Sequence, residues 1–363
     1  MQPIRVAIIG AGNVACSLVQ AISSASESDG VGVVHPVLGG YRIDDIEIAA
    51  AFDVDRRKVG LPLAEALFAA PNCTTRYTGI AAQVPVSCGM LADGVSSTLR
   101  NIVDISPEAE TVSVDDVAQV LKLANVTVVV NLLPVGSHEA TRNYAEATLR
   151  AGAAFVNCIP ESVAGDADWH ERFAAARLPL LGDDIKSQLG ATAVHRALLD
   201  LCRAKAARVV RTYQLNVGGN TDFQNMTDPA RAASKRRSKI ASLEAITDPG
   251  VPVDAGPSGY VSSIEDNKVA HIHIDGELLL GMPFSMDLRL QVEDSPNAAG
   301  VAVDAIRAAR IALDRGRAGA VPEACGLLFK APPQQSSDRE AADEFAAFAG
   351  AAAPEPSESS DAF

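Results

Sequence analysis

The sequence predicts an α/β protein: a Rossmann-like, doubly wound parallel sheet joined to a second, α+β domain. Three observations predict it. The chain opens with a short apolar run, Ile4–Ile9, that leads straight into the turn Gly10-Ala11-Gly12-Asn13-Val14-Ala15. Further apolar runs at 126–133, 153–158 and 178–181 alternate with helical patterns, and a continuous apolar run marks a strand buried on both faces. From about His195 the texture changes to alternating strands with a basic helix and Pro/Gly-rich loops between them. The expected division is a nucleotide-binding domain from residues 1–196 and 296–330, a catalytic and oligomerisation domain at 197–295, and a tail at 331–363.

The opening turn reads as a phosphate cradle. Gly10 permits the tight turn, Gly12 lets the backbone approach a pyrophosphate, and Ala15 permits close helix–strand contact. The exposed N–H groups at the helix start then bind phosphate oxygens. Val14, Leu18, Val19 and Ile22 follow on one helix face. Residues 44–53 form the next strand and end in Asp53, where a carboxylate binds the adenosine ribose and favours NAD over NADP. Asp55 is the second choice. The spacing from the glycines is about twice the usual one, which a long Ser- and Gly-rich connection over 23–41 explains. Residues 58–112 mix Pro, Cys and Gly and read as an insertion.

The strand at 126–133 is stopped by Pro134-Val135-Gly136-Ser137 and followed by a helix containing Tyr144. That at 153–158 stops at Ile159-Pro160, and that at 178–181 enters Gly182-Asp183-Asp184-Ile185-Lys186-Ser187. In a doubly wound sheet the ligand lies at the carboxyl ends of the strands. Asn131, Ser137, Asn157 and Asp184 all fall there and together outline a cofactor crevice.

After a helix ending near Ala206, strands at 209–217, 269–274 and 288–292 suggest one antiparallel sheet whose open face pairs with another subunit. Between them the chain breaks at Gly218-Gly219-Asn220, exposes Asp222, and enters a helix bearing Arg231, Lys235 and Lys239 four residues apart. Residues so spaced share one face. Three cations beside a Gly-Gly turn suit a phosphorylated substrate. His271 and His273 share a strand face with Asp275, which reads as a polar sheet face rather than a metal site, for no further ligand is in sight. Ser295-Pro296-Asn297 starts a periodic helix through Leu313, Gly316 and Gly319 mark its end, and Leu327-Leu328-Phe329-Lys330 is a final segment ending in a cation. Beyond Ala331 the composition of Pro, Gln, Ser, Glu, Ala and Asp reads as a disordered tail.

Composition narrows the partners. A net charge of -14 excludes a polyanion such as nucleic acid as the main partner, so the basic helix is a local feature of an acidic protein. Six cysteines with no CxxC pair exclude a disulfide framework and a structural zinc site. No apolar run reaches membrane-spanning length and no signal stretch opens the chain, which predicts a cytoplasmic protein without a membrane partner.

In order, the segments GAGNVACSL, NLLPVGS, GDDIKSQLGAT, LNVGGNTDFQN, SKRRSKIAS, EDNKVAHI, EDSPNAAGV and LLFKAP resemble the myo-inositol-1-phosphate synthase family in its short bacterial and archaeal form. The resemblance runs from Ile4 to about Pro332. It implies NAD as cofactor, glucose 6-phosphate as substrate, a homotetramer, and a cyclisation with no net redox change. In that chemistry C5 is oxidised, C6 enolises and closes on C1, and C5 is reduced again. It implies Lys235, Lys268 and Lys330 as cations at the reacting carbons and Lys239 nearer the phosphate. Ser187 and Asn220 would hold the phosphate, while Asp222, Asp266 and Asp294 would orient lysines or sugar hydroxyls. The implied NAD contacts are Gly10, Gly12, Asn13, Asp53, Asn131, Asn157, Ser187, Asp222, Lys235 and, at the nicotinamide side, Asp184, with Ala124 and Tyr144 as further additions. No role is implied for Arg236 and Arg237, and the turn GAGNVA is shorter than that of the eukaryotic branch. Without the resemblance, the residues also fit a two-domain NAD-dependent dehydrogenase of the homoserine or dihydrodipicolinate type, or a non-catalytic NAD-sensing regulator. Neither would require four separately placed lysines.

Overall fold

The computed structural model describes residues 2–25 and 32–350. Seven parallel strands form the larger sheet: β1 (Ile4–Ile9), β2 (Ile46–Asp53), β3 (Val86–Cys88), β4 (Val128–Asn131), β5 (Ala154–Asn157), β6 (Pro179–Leu181) and the late β11 (Gly319–Ala320). Their spatial order is β11-β6-β5-β4-β1-β2-β3. The connecting helices are α1 (Asn13–Ser23), α2 (Leu63–Ala66), α3 (Val114–Leu123), α4 (His138–Ala151) and α5 (Ala167–Ala175).

The strands are predominantly apolar because both faces are covered. Ile4, Val6, Ile8, Val128 and Val130 point to a layer formed by α1 and the long helix α9 (Asp294–Asp314), meeting Ala302 and Ile306. Ala7, Ile9, Val129 and Phe155 point the other way, to Val117 and Tyr144 of α3 and α4. Strand order reverses between β1 and β4, which are neighbours in the sheet, and the crevice of such a sheet opens beyond their carboxyl ends.

The smaller sheet has the order β10-β9-β7-β8, from β7 (Arg208–Gly218), β8 (Val253–Tyr260), β9 (Asn267–Glu277) and β10 (Pro283–Glu293). It is mixed rather than antiparallel. β9 runs antiparallel to β7 and β10, but β8 lies parallel to β7. The reason is the crossover helix: α7 (Thr221–Asn225) and α8 (Pro229–Glu244) carry the chain back before β8 starts, as a parallel pair requires. With α6 (Ala191–Ala204), α8 covers the face bearing Thr212, Gln214, Asn216, Ile272 and Ile274. The opposite face, with Tyr213, Leu215, His271 and His273, has no covering layer among the described residues.

Three expectations change. Residues 58–112 are not merely an insertion, since β3 lies there and extends the sheet beside β2; three residues are too few to show as an apolar run. Asp44 and Asp45 fall in a 3-10 turn ahead of β2. The tail is not disordered up to Gly350. After α10 (Pro322–Leu328) the chain forms α11 (Asp338–Gly350), which packs on α10. Ala341, Phe345 and Phe348 share one face and are buried. An Ala- and Glu-rich composition concealed a helix whose core contact rests on two aromatic residues. Residues 26–31 of the long connection and 351–363 of the tail lie outside the described residues.

Candidate active site

One cavity of about 240 Å³ runs from the opening glycine turn to the basic helix. At one end β1 passes into Gly10, whose φ of +90° and approach to Leu132 admit no side chain: a Cβ would lie 2.9 Å from the Leu132 carbonyl oxygen. Gly12 caps α1 without a side-chain hydrogen bond, and a Cβ placed there would meet nothing within 4 Å. The first N–H groups of α1 therefore face open space, a fit for a phosphate. Asp53 ends β2 on the cavity wall and accepts from Ala11 N at 2.9 Å, from Val54 N at 2.8 Å and from Asp55 N at 2.9 Å. Asn13 binds the loop at Cys73 and Thr74 through its side-chain oxygen. Tyr144 lines the cavity, and its hydroxyl accepts from Met90 N at 2.8 Å.

At the other end four lysines converge from three parts of the chain: Lys235 and Lys239 from α8, Lys268 from β9 and Lys330 from the end of α10. Their central counter-charge is Asp184, which is fully buried. One of its oxygens accepts from Lys235 Nζ at 2.9 Å and Lys330 Nζ at 3.0 Å, the other from Ser238 Oγ at 2.6 Å. Burial opposes the charge on Asp184, yet Lys235 and Lys330 outweigh it and hold the carboxyl well below its usual range. Burial likewise works against Lys235, and Asp184 with Asp222 overcomes it, so that this ammonium is held above the ordinary lysine range.

The other lysines differ. Burial pushes Lys330 down to about 8, with Asp184 resisting. Lys239 is driven well below the ordinary lysine value by burial and then by Lys268, Lys330 and Lys235. Among the described residues nothing accepts a hydrogen bond from its Nζ. Lys268 pairs with Asp294, whose carboxyl is lowered because Lys268 outweighs its burial. Asp222, beside Val135 N at 3.4 Å, is raised by burial. Such a site holds protonated and easily deprotonated ammonium groups side by side, which stabilising an oxyanion and moving a proton both demand.

The expected residues do not all reach this cavity. Gly10, Gly12, Asn13, Asp53, Tyr144, Ser187, Asn220, Asp222, Lys235, Lys239, Lys268, Asp294 and Lys330 line it. Asp184 sits just behind the lysines it pairs. Asn131 and Asn157 are buried braces instead: Asn131 Nδ2 donates to Asn157 Oδ1 at 2.9 Å, and Asn157 Nδ2 to Asp183 Oδ1 at 2.7 Å. Asp266 also stands behind the wall, accepting from Asn220 Nδ2 at 2.9 Å and Ser295 Oγ at 2.8 Å. The side-chain oxygen of Asn220 is occupied in capping α7. Ala124 is a correction. It ends α3 before β4 begins, at the amino ends of the strands, where its carbonyl accepts from Arg5 Nε at 2.9 Å.

Arg231 is another correction. Four residues climb about 6 Å along a helix, so this arginine lies one turn beyond the lysines. It donates to the Asp93 carbonyl at 2.7 Å and packs over Gly136. Sequence reasoning also missed Lys58, Lys186 and Thr192. Lys58 Nζ donates to the Ala11 carbonyl at 2.9 Å and to Asn72 Oδ1 at 3.0 Å beneath the glycine turn. Thr192, in the uncapped first turn of α6, lines the cavity with a hydroxyl that has no partner among the described residues. Only Lys186 carried a signal, its place inside the GDDIKS segment. His273 bonds to Asp287 at 2.7 Å and Asp275 at 3.0 Å, and no metal-holding group of His, Cys, Asp and Glu occurs among the described residues.

The family model of myo-inositol-1-phosphate synthase matches residues 190–295. An inositol-3-phosphate synthase of Corynebacterium glutamicum is 44% identical over 95% of this chain and 98% of its own length. One of Mycobacterium tuberculosis is 42% identical over 92% of each chain. A crystal structure titled a myo-inositol-1-phosphate synthase-related protein from Thermotoga maritima superposes with a TM-score of 0.81 at 25% identity, covering 97% of this chain and all of that one. With the glycine turn, the GDDIKS loop and the four lysines converging on one cavity, the chain belongs to the myo-inositol-1-phosphate synthase family.

Proposed function

We propose that this protein is an isomerase that converts D-glucose 6-phosphate to 1D-myo-inositol 3-phosphate with NAD as a bound cofactor. The observation that carries this reading is the set of four lysines around Asp184 at one end of a cavity whose other end is a glycine turn. The open space at Gly12 and the uncapped start of α1 suit a pyrophosphate, and Asp53 suits a ribose better than a 2′-phosphate. Bound there, NAD would accept the hydride of C5 and return it at the end. The rest of the chemistry falls to the chain's own groups. A hydroxyl that is oxidised must give up a proton, and a lysine with a lowered pKa such as Lys330 takes it. The ketone acidifies C6, and the enolate and the later alkoxide carry negative charge that Lys235 and Lys268 stabilise from fixed positions. Lys239 has no hydrogen-bond partner among the described residues, which suits it to the phosphate along with Ser187 and the first turn of α6.

The test is product analysis after incubation with glucose 6-phosphate and NAD. Inositol phosphate should form without net NADH. Accumulating NADH with an oxidised sugar phosphate would instead indicate a dehydrogenase.

A further inference from the structure

The segment after Lys330 does more than close the core. Its side chains reach the machinery from behind. Gln335 Nε2 donates to the carbonyl oxygen of Lys330 at 2.7 Å. Ser337 and Glu340 cap the start of α11 reciprocally, and Asp338 is its first residue. One Asp338 oxygen accepts from Arg196 Nε at 2.8 Å, and the other lies 3.6 Å from Lys186 Nζ.

Both partners lead to the site. Arg196 is almost wholly buried in α6 and also donates to the carbonyls of Ser336 and Ser242. Ser242 stands three residues beyond Lys239 on the same helix. Lys186 lines the cavity next to Ser187, its Nζ donating to the Gly326 carbonyl at 2.9 Å and its backbone N–H to the Leu328 carbonyl at 2.9 Å. One carboxylate thus joins the loop that carries Asp184 and Ser187 to the helix that carries Lys235 and Lys239. Surface ion pairs contribute little. This one is different, because its arginine would be left buried and uncompensated without it.

We propose that Asp338, acting through Arg196 and Lys186, is a positioning residue of the active site, the clasp by which the C-terminal helix fixes the phosphate end of the cavity. This rests on the proposed reading that Ser187 and Lys239 hold the substrate phosphate. Lys186 supports it: burial pushes its ammonium down to about 8, and Asp338 is what holds it up. The groups facing Lys186 are Asp338 on α11, Arg196 on α6 and the Gly326 carbonyl on α10.

The test uses full-length protein with Asp338→Asn and Asp338→Glu beside wild type. Steady-state kinetics against glucose 6-phosphate, the pH profile, NAD affinity by calorimetry and Tm are read for each. Asp338→Asn should raise KM for glucose 6-phosphate on the order of tenfold, the scale of a small misplacement at a site. NAD affinity should stay within about twofold, because the clasp is at the other end of the cavity. The alkaline limb of kcat/KM should move to lower pH, since Lys186 loses its carboxylate, and Asp338→Glu should restore much of each effect. An Asp338→Asn protein with wild-type KM and wild-type pH profile beside an active wild type overturns the clasp alone. So does a loss of substrate affinity, NAD affinity and Tm together with an unmoved pH profile, the pattern of general loosening. A wild-type protein that forms no inositol phosphate overturns the functional reading and the clasp with it.

Discussion

Lys235, Lys239, Lys268 and Lys330 are the same residue type in one cavity, and the proposed function gives them different work. Replacing Lys235 or Lys268 with Ala should lower kcat by on the order of a hundredfold, the scale for one lost oxyanion partner, and change NAD affinity less. Lys239→Ala should chiefly raise KM for glucose 6-phosphate. Steady-state kinetics on the three variants checks both, and the reverse pattern would exchange the roles. For Lys330 the sign of the pH effect follows from its value of about 8. The neutral, proton-accepting form grows as pH rises through that value, so kcat should rise between about pH 7 and 9 and then level. A pH profile of kcat that falls over this range would exclude Lys330 as the base. These lysines were legible in the sequence because their motifs fall in order and two of them are four apart on a helix. Lys58 and Asp338 were not, since a cation in an irregular stretch and an acid in an Ala- and Glu-rich stretch differ from surface charges only through the contacts that folding gives them.

At the scale of elements, the strand–turn–helix unit at the start was readable because its chemistry is local. Gly10 must be glycine to turn beneath Leu132, whereas Gly12 has room around it in the protein alone. Gly12→Ala should therefore fold with an unchanged Tm and lose NAD affinity, on the order of tenfold or more, as the methyl occupies the space of a pyrophosphate. Calorimetric titration with NAD and a melting curve separate the two effects; a lowered Tm with intact affinity would mean that the turn, and not the ligand, needs this glycine. What the sequence did not disclose depends on partners distant along the chain. β3 is a strand only because β2 lies beside it, and β8 runs parallel only because α8 crosses over first. α11 is held by Phe345 and Phe348 in a core built by residues far upstream. Asn131 and Asn157 show the same limit: strand ends were rightly located, but which polar side chain faces the cavity and which braces its floor is decided by packing.

At the scale of the whole molecule, the smaller sheet leaves Tyr213, Leu215 and His271 on an uncovered face, and the hairpin beyond β9 exposes Leu279 at 85% and Leu280 at 97%. Apolar surface of this kind marks an interaction site. We expect a homo-oligomer, a tetramer in the family's pattern, and light scattering that reports a monomer at working concentration would contradict this. The distribution of charge has a further consequence. The chain has 31 Lys and Arg against 45 Asp and Glu, yet Lys186, Lys235, Lys239, Lys268 and Lys330 are drawn inward to one cavity. Asp53, Asp184, Asp222, Asp266 and Asp294 go inward with them, so the exterior keeps the acidity of the total of -14, and a sugar phosphate dianion is repelled in approach before it is attracted in place. Such an enzyme reverses the usual salt response of anion capture. Lengthy fields are damped as the Debye length falls from about 30 Å at 0.01 M to about 8 Å at 0.15 M, while the short-range attraction inside is screened much less. Over that interval kcat/KM for glucose 6-phosphate should rise or hold steady with added inert salt, and a steep decline would show that the lysines are felt in solution well before the substrate arrives.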